Sequence, residues 1–188
     1  MNKESIPKQA KKMFKGIIFD VYQWRQKLYD GNYTTYEKLK RLNTVSIIPV
    51  TTKGKIILTK EEQPGKKQFL SVPGGLMKKT ETAVETAERE LLEETGYKAK
   101  KFILLARNQP SSMIEWTKYL FLAKGCTKVS KPKLDSGEKI KLKIVTFKEF
   151  INLVIYEILD IKEISLYILK AKINPQKYKN LIKLFEEK

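Results

Sequence analysis

The chain has 188 residues, a formal net charge of +17, one cysteine and no histidine. That length suits one domain with a sizeable core, and the lack of histidine excludes histidine metal sites and histidine general bases, leaving acid–base chemistry to carboxylates. There is no run of about 18 apolar residues, the opening MNKESIPKQAKKMF has no apolar centre, and Cys126 has no disulfide partner, so the expectation is a cytoplasmic protein without a membrane partner.

In chain order, residues 1–15 are basic and poorly patterned, which predicts a mobile arm. Ile17–Tyr29 and Tyr33–Arg41 read as extended segments joined at Asp30-Gly31, a hairpin signal. Their aromatic residues, Tyr22, Trp24, Tyr33 and Tyr36, either offer a flat surface to an adenine ring or serve packing and dimer contacts. Thr44–Val50 and Lys55–Lys60 are β-rich runs around Lys53-Gly54, a second hairpin. After Pro64-Gly65 comes a short strand, Phe69–Val72, and then Pro73-Gly74-Gly75, read as a loop whose glycines let the backbone approach a ligand.

The segment GLMKKTETAVETAERELLEETGY, Gly75 to Tyr97, holds the densest signal. Thr82 and Glu85 form a capping box that starts a helix near Ala83, and Gly96 suits its end. Val84, Ala87 and Leu91 fall on one face and are expected to pack inward. Glu90, Glu93 and Glu94 fall within about 100° of arc beside it. Carboxylates so close repel one another unless a cation lies between them, and hard oxygen ligands suit Mg²⁺ or Mn²⁺. Arg89 lies four residues from both Glu85 and Glu93 and is expected to pair with them. A solvated acidic helix face is the bland alternative.

Beyond it, Lys101–Ala106 and Thr117–Ala123 read as strands flanking NQPSSMIEW, Lys131–Ser136 as a polar loop, and Gly137 onward as another strand. Thr146 and Glu149 form a second capping box before an apolar stripe of Phe147, Phe150, Ile151, Val154, Ile155, Ile158 and Leu159. Asp160 with Glu163 can cap a helix over 161–171, and Asn174-Pro175 opens a last one in which Tyr178, Leu181, Ile182 and Phe185 share a face.

The order Gly75, five residues, Glu81, seven residues, Arg89-Glu90, then Glu93-Glu94 and Gly96 resembles the signature of the Nudix hydrolases, enzymes that cleave a nucleoside diphosphate linked to another group. The flanking segments resemble the ADP-ribose pyrophosphatase branch: an N-terminal strand extension that often builds a homodimer interface, a Pro-containing loop leading to Glu115, and a late loop with an acidic residue. The fold expected is an α/β (α+β) Nudix-like α/β/α sandwich with a mixed central sheet, the N-terminal antiparallel strands at 1–42, the hydrolase domain at 43–160 and a C-terminal helical appendage at 161–188. That appendage covers the core, a dimer partner or another protein.

The resemblance implies hydrolysis of ADP-ribose or a nucleotide sugar to a nucleoside monophosphate and a sugar phosphate, with Mg²⁺ (or Mn²⁺) held by Glu90, Glu94, Glu93 and the Gly74 carbonyl. Glu138 or Asp135 orients water, Arg89 fixes the acidic face, and Glu81 buttresses the loop–helix junction or reaches metal through water. Gly75, Glu115, Gln63, Trp24 and Tyr33 are the substrate-side candidates. Glu115 is equally a strand-edge charge, and Gln63 stands where the ADP-ribose enzymes often carry a phosphate-binding arginine. Nucleoside triphosphate or RNA-cap hydrolysis and a non-catalytic nucleotide-binding module are the alternatives. The net positive charge can steer polyanions, yet only Arg25, Arg41, Arg89 and Arg107 are arginines, and recognition of bases and phosphates favours arginine. Nucleic acid is therefore not the favoured partner.

Overall fold

A computed structural model describes residues 5–134, 136–137, 139–156, 158–159, 161, 165, 168–169 and 171–186. An eight-stranded mixed sheet forms its centre. Strand β4 (Thr44–Thr51) runs parallel to β11 (Lys118–Lys128), with Ile47 opposite Phe121 and Ile48 opposite Leu122. Strands β5 (Ile56–Glu62) and β12 (Lys139–Val145) extend the sheet antiparallel on one side, and β8 (Tyr97–Lys98) lies beyond β11 on the other. Shorter pairings add β6 (Phe69–Ser71) to β5, β7 (Gly74–Leu76) to β4 and β9 (Lys101–Asn108) to β11.

The two central strands are buried on both faces, so their apolar residues run continuously and alternate between two cores. Val45, Ile47, Phe121, Ala123 and Cys126 pack with Ala87 and Leu91 of helix α1 (Ala83–Thr95). Ile48, Val50, Leu120 and Leu122 face the other way, onto Phe150, Ile151 and Val154 of helix α2 (Phe147–Ile155). This is the expected α/β/α sandwich. Burial pushes the Cys126 thiol up to about 12, so it stays an inert, protonated part of the core.

Helix α3 (Pro175–Glu186) begins as the Asn174-Pro175 pair predicts, with Asn174 Oδ1 accepting from Lys177 N at 3.0 Å. Its Leu181 and Phe185 are buried in the α2 core, and the Phe185 ring lies 5.0 Å from Phe147 and 5.8 Å from Phe150. Of the roles left open for the C-terminal helices, covering the core is the one seen.

The N-terminal part departs from expectation. Lys11–Lys15 is a strand, β1, pairing antiparallel with β2 (Asp20–Lys27), which pairs with β3 (Tyr33–Lys40). Every residue of β1 is exposed, so no alternating pattern reveals it, and its lysines are the usual protection of a free sheet edge. The two-residue β10 (Ile114–Glu115) closes this sheet by parallel pairing with β3.

Three further corrections concern the helices and the glycine loop. Val84, in the first turn, is 42% exposed, whereas Thr86 and Glu94 are buried. Helix α2 ends at Ile155, since both Ile158 N and Leu159 N turn back to Leu153 O, and Ile158 is left exposed. Gly74 and Gly75 form strand β7 rather than a loop. The proposed cap residues Asp160 and Glu163 lie outside the described residues.

Candidate active site

Helix α1 starts as its sequence dictates: Thr82 Oγ1 accepts from Glu85 N, Glu85 accepts from Thr82 N at 2.7 Å, and Gly96 ends the helix in the left-handed region with φ 74°. The Thr82 contacts hold the Glu85 carboxyl below its usual range. Glu85 is thus committed to the cap, which explains why it does not pair with Arg89.

Arg89 reaches instead to Glu81, which lies before the helix. Its Nε donates to Glu81 Oε1 at 2.8 Å and its Nη2 to Glu81 Oε2 at 3.0 Å and to the Leu76 carbonyl at 3.1 Å. Its Nη1 bridges Glu90 at 2.8 Å and Glu93 at 2.9 Å. The guanidinium therefore bridges three carboxylates and ties α1 to β7. Glu81 also accepts from Lys78 N at 3.2 Å and from Thr86 Oγ1 at 2.9 Å, and the Arg89 bonds, the largest influence, hold its carboxyl down to about 2. These contacts tie Glu81 into the loop–helix junction. Arg89's own pKa is raised above its usual value by the same pairing.

The glycines of β7 let two elements meet. A Cβ on Gly75 would lie 2.2 Å from Glu90 Oε1, and one on Gly74 would lie 2.3 Å from Val45 O. Gly74 thus allows β7 onto β4, and Gly75 leaves the space that the Glu90 carboxylate occupies. The Gly74 amide donates to Glu94 Oε2 at 3.2 Å, which brings the buried Glu94 to the same strand. The structure therefore gathers Gly74, Gly75, Glu90, Glu93 and Glu94 around one junction.

Carboxylates in a cradle cut to their size offer the hard oxygen donors that a divalent cation takes. Among the described residues no group of three or more such side chains is placed to hold a metal ion.

The other candidates are dispersed. Glu115 accepts from Ile6 N at 2.9 Å and pairs with Lys40 in the N-terminal sheet. Burial raises its pKa, but Lys40, the Ile6 amide and the nearby Lys38 outweigh this and leave it lowered. Gln63 sits in the exposed turn before β6, its Oε1 accepting from Lys66 Nζ at 3.1 Å. Trp24 stands opposite Tyr36 with ring centres 5.9 Å apart, whereas Tyr33 stands opposite Lys27. Alternation puts Tyr33 on the face away from Trp24, so one flat surface cannot use both. Asp135 and Glu138 lie outside the described residues, but the loop leading to them is anchored on α1, with Lys133 N donating to Glu93 O at 2.7 Å.

Spacing alone missed Thr86 and the Leu76 carbonyl. Thr86 looks like a neutral helix residue, and a backbone carbonyl leaves no trace in side-chain patterns.

The family model described as the NUDIX domain matches residues 40–165. The chain is 32% identical over 145 residues to an ADP-ribose pyrophosphatase of Bacillus subtilis (strain 168), covering 76% of this chain and 78% of that protein. It is 28% identical over 145 residues to a methanol dehydrogenase activator of Bacillus methanolicus, covering 75% and 78%. A crystal structure of an ADP compounds hydrolase superposes with a TM-score of 0.71 at 19% identity over 89% of this chain and 93% of that one, a likeness of fold.

Proposed function

The chain belongs to the Nudix hydrolase family, and from that premise we propose that it cleaves the pyrophosphate bond of ADP-ribose or a nucleotide sugar with Mg²⁺ (or Mn²⁺), releasing a nucleoside monophosphate and a sugar phosphate. The observation that carries this reading is the junction of β7 and α1, where Gly75 clears room for the Glu90 carboxylate and Glu94 reaches the Gly74 amide. The name of the Bacillus subtilis relative supplies the substrate class.

In this reading Glu90, Glu94 and Glu93, with the Gly74 carbonyl, hold the divalent ion. That ion supplies charge neutralisation for the diphosphate and a more acidic water. Arg89 orients Glu90 and Glu93 from one side, so their oxygens are fixed before substrate arrives. Asp135 or Glu138 takes the proton of the attacking water, carried on the loop that Lys133 fastens to the end of α1. Residues 1–42 form an extension through which two copies pair, presenting the exposed Phe14, Ile17 and Tyr29.

The test is release of monophosphate or phosphate from a panel of ADP-ribose, nucleotide sugars, dinucleoside polyphosphates, triphosphates and capped RNA, with Mg²⁺ and with Mn²⁺. ADP-ribose or a nucleotide sugar is expected to be cleaved fastest, and Glu94→Gln to lose at least a hundredfold in kcat while remaining folded. Faster cleavage of triphosphates or capped RNA would overturn the substrate class. Absence of turnover on the whole panel would overturn the enzyme reading in favour of a nucleotide-binding module.

A further inference from the structure

Of the four arginines, Arg89 is engaged within the acidic cluster. Arg25 and Arg107 are exposed on their strands, over the rings of Tyr33 and Tyr119. Arg41 differs. It is half-buried where β3 passes into β4, its guanidinium carbon 4.5 Å from the centre of the Trp116 ring and 5.4 Å from that of Phe19. Its Nε is buried without a hydrogen-bond partner, and among the described residues no carboxylate pairs with it.

Two aromatic faces can hold a cation. They do not satisfy an N–H. A buried donor left unmade is costly, and a guanidinium carries five donors in a planar fork that matches phosphate. The clamp also stands beside the candidate active site. Two residues along from Arg41, the Asn43 carbonyl accepts from Met77 N, and Thr44 lies opposite Leu76, whose carbonyl holds Arg89. Trp116 is fixed there by its Nε1 donating to Thr44 Oγ1 at 3.1 Å, and Lys118 Nζ lies 5.8 Å from the same ring. Gln63, by contrast, is neutral, exposed and engaged with Lys66.

We propose that Arg41, presented by Phe19 and Trp116, receives a phosphate oxygen of the nucleotide. The class of ligand rests on the pyrophosphatase reading. Arg41 is a specificity residue, whose loss weakens binding more than it slows the chemical step.

The test separates this site from that reading by measuring binding apart from turnover. ADP titrated with Mg²⁺ into the unsubstituted protein in a calorimeter is expected to bind saturably, with a Kd at least tenfold weaker in Arg41→Lys and in Arg41→Gln. Thermal unfolding of each variant shows that it is folded. A measurement on the unsubstituted protein stands beside these: the ¹⁵N-resolved Arg41 Nε–H resonance is expected to move as ADP saturates. On ADP-ribose, Arg41→Lys is expected to raise KM at least tenfold and leave kcat within threefold. Failure of the turnover panel together with Arg41-dependent ADP binding would refute the hydrolase reading alone. No ADP binding, a Kd unchanged within twofold in the folded variants, or a static Nε–H signal at saturation would overturn the assignment of Arg41.

Discussion

Gly75→Ala separates catalysis from stability at the centre of the site. The added Cβ would lie 2.2 Å from Glu90 Oε1, 2.5 Å from Cδ and 2.9 Å from Oε2. Ordinary contact lies near 3.5 Å, so the carboxylate must retreat by roughly 1 Å. It is the far end of a flexible side chain, so the fold can give way there, with an expected loss of stability under about 1 kcal/mol. The carboxylate cannot retreat and stay in place for its role. A misplacement of about 1 Å at reacting groups can cost 10²-fold, which corresponds to about 2.7 kcal/mol of activation free energy. Gly74→Ala is the matched comparison, because its Cβ would meet a backbone atom, Val45 O, at 2.3 Å. Relief there means moving β7 off β4, and a loss of about 2–4 kcal/mol is expected. The assays are kcat/KM on the best panel substrate and urea unfolding of the three proteins. If Gly75→Ala kept kcat/KM within threefold of the parent, Glu90 would not need its observed place, and the site built on it would be wrong.

Other substitutions probe the supports. Phe185→Ala should cost about 3–5 kcal/mol in equilibrium unfolding, because the ring is buried against Phe147 and Phe150; a loss under 1 kcal/mol would detach α3 from the core. Glu81 has its carboxyl depressed from 4.5 to about 2, so its contribution to stability is present in full above about pH 4.5 and is lost as the pH falls towards 2. Glu81→Gln should therefore flatten the pH dependence of Tm across that interval and lower Tm at neutral pH, and an unchanged acid limb would show that the Arg89 pairing does not stabilise the folded state.

Much of the architecture is legible in the sequence because local chemistry and global position agree there. Thr82 with Glu85 and Thr146 with Glu149 start helices as written, and both reciprocal boxes form. Strands β4 and β11 are continuous apolar runs, as strands buried on both faces must be. The failures have their own reasons. Strand β1 contributes nothing to either core, so its lysine-rich sequence carries no periodic signal. Strand β7 is built on glycines, which local propensity assigns to loops, and only the proximity of Val45 and Glu90 explains them. The four-residue rule pairs Arg89 with Glu85, but it knows neither that the cap has claimed Glu85 nor that the chain before the helix folds back to bring Glu81 within reach.

That last case bears on how the whole segment is understood. A spacing pattern treats Gly75, Glu81, Arg89, Glu90, Glu93 and Glu94 as equivalent marks, whereas their contacts divide them. Glu81 meets Lys78 N, Thr86 and Arg89, and so belongs to the scaffold. Arg89 faces both ways, holding Glu81 and the Leu76 carbonyl with one part of its fork and Glu90 and Glu93 with another. Glu94 is buried against the Gly74 amide, where its orientation depends on β7 staying paired with β4. The acidic set is therefore held from two directions, by a guanidinium on the solvent side and by a glycine strand on the sheet side. Either support lost alone should leave carboxylates present but misdirected, which is why folding and turnover have to be measured together.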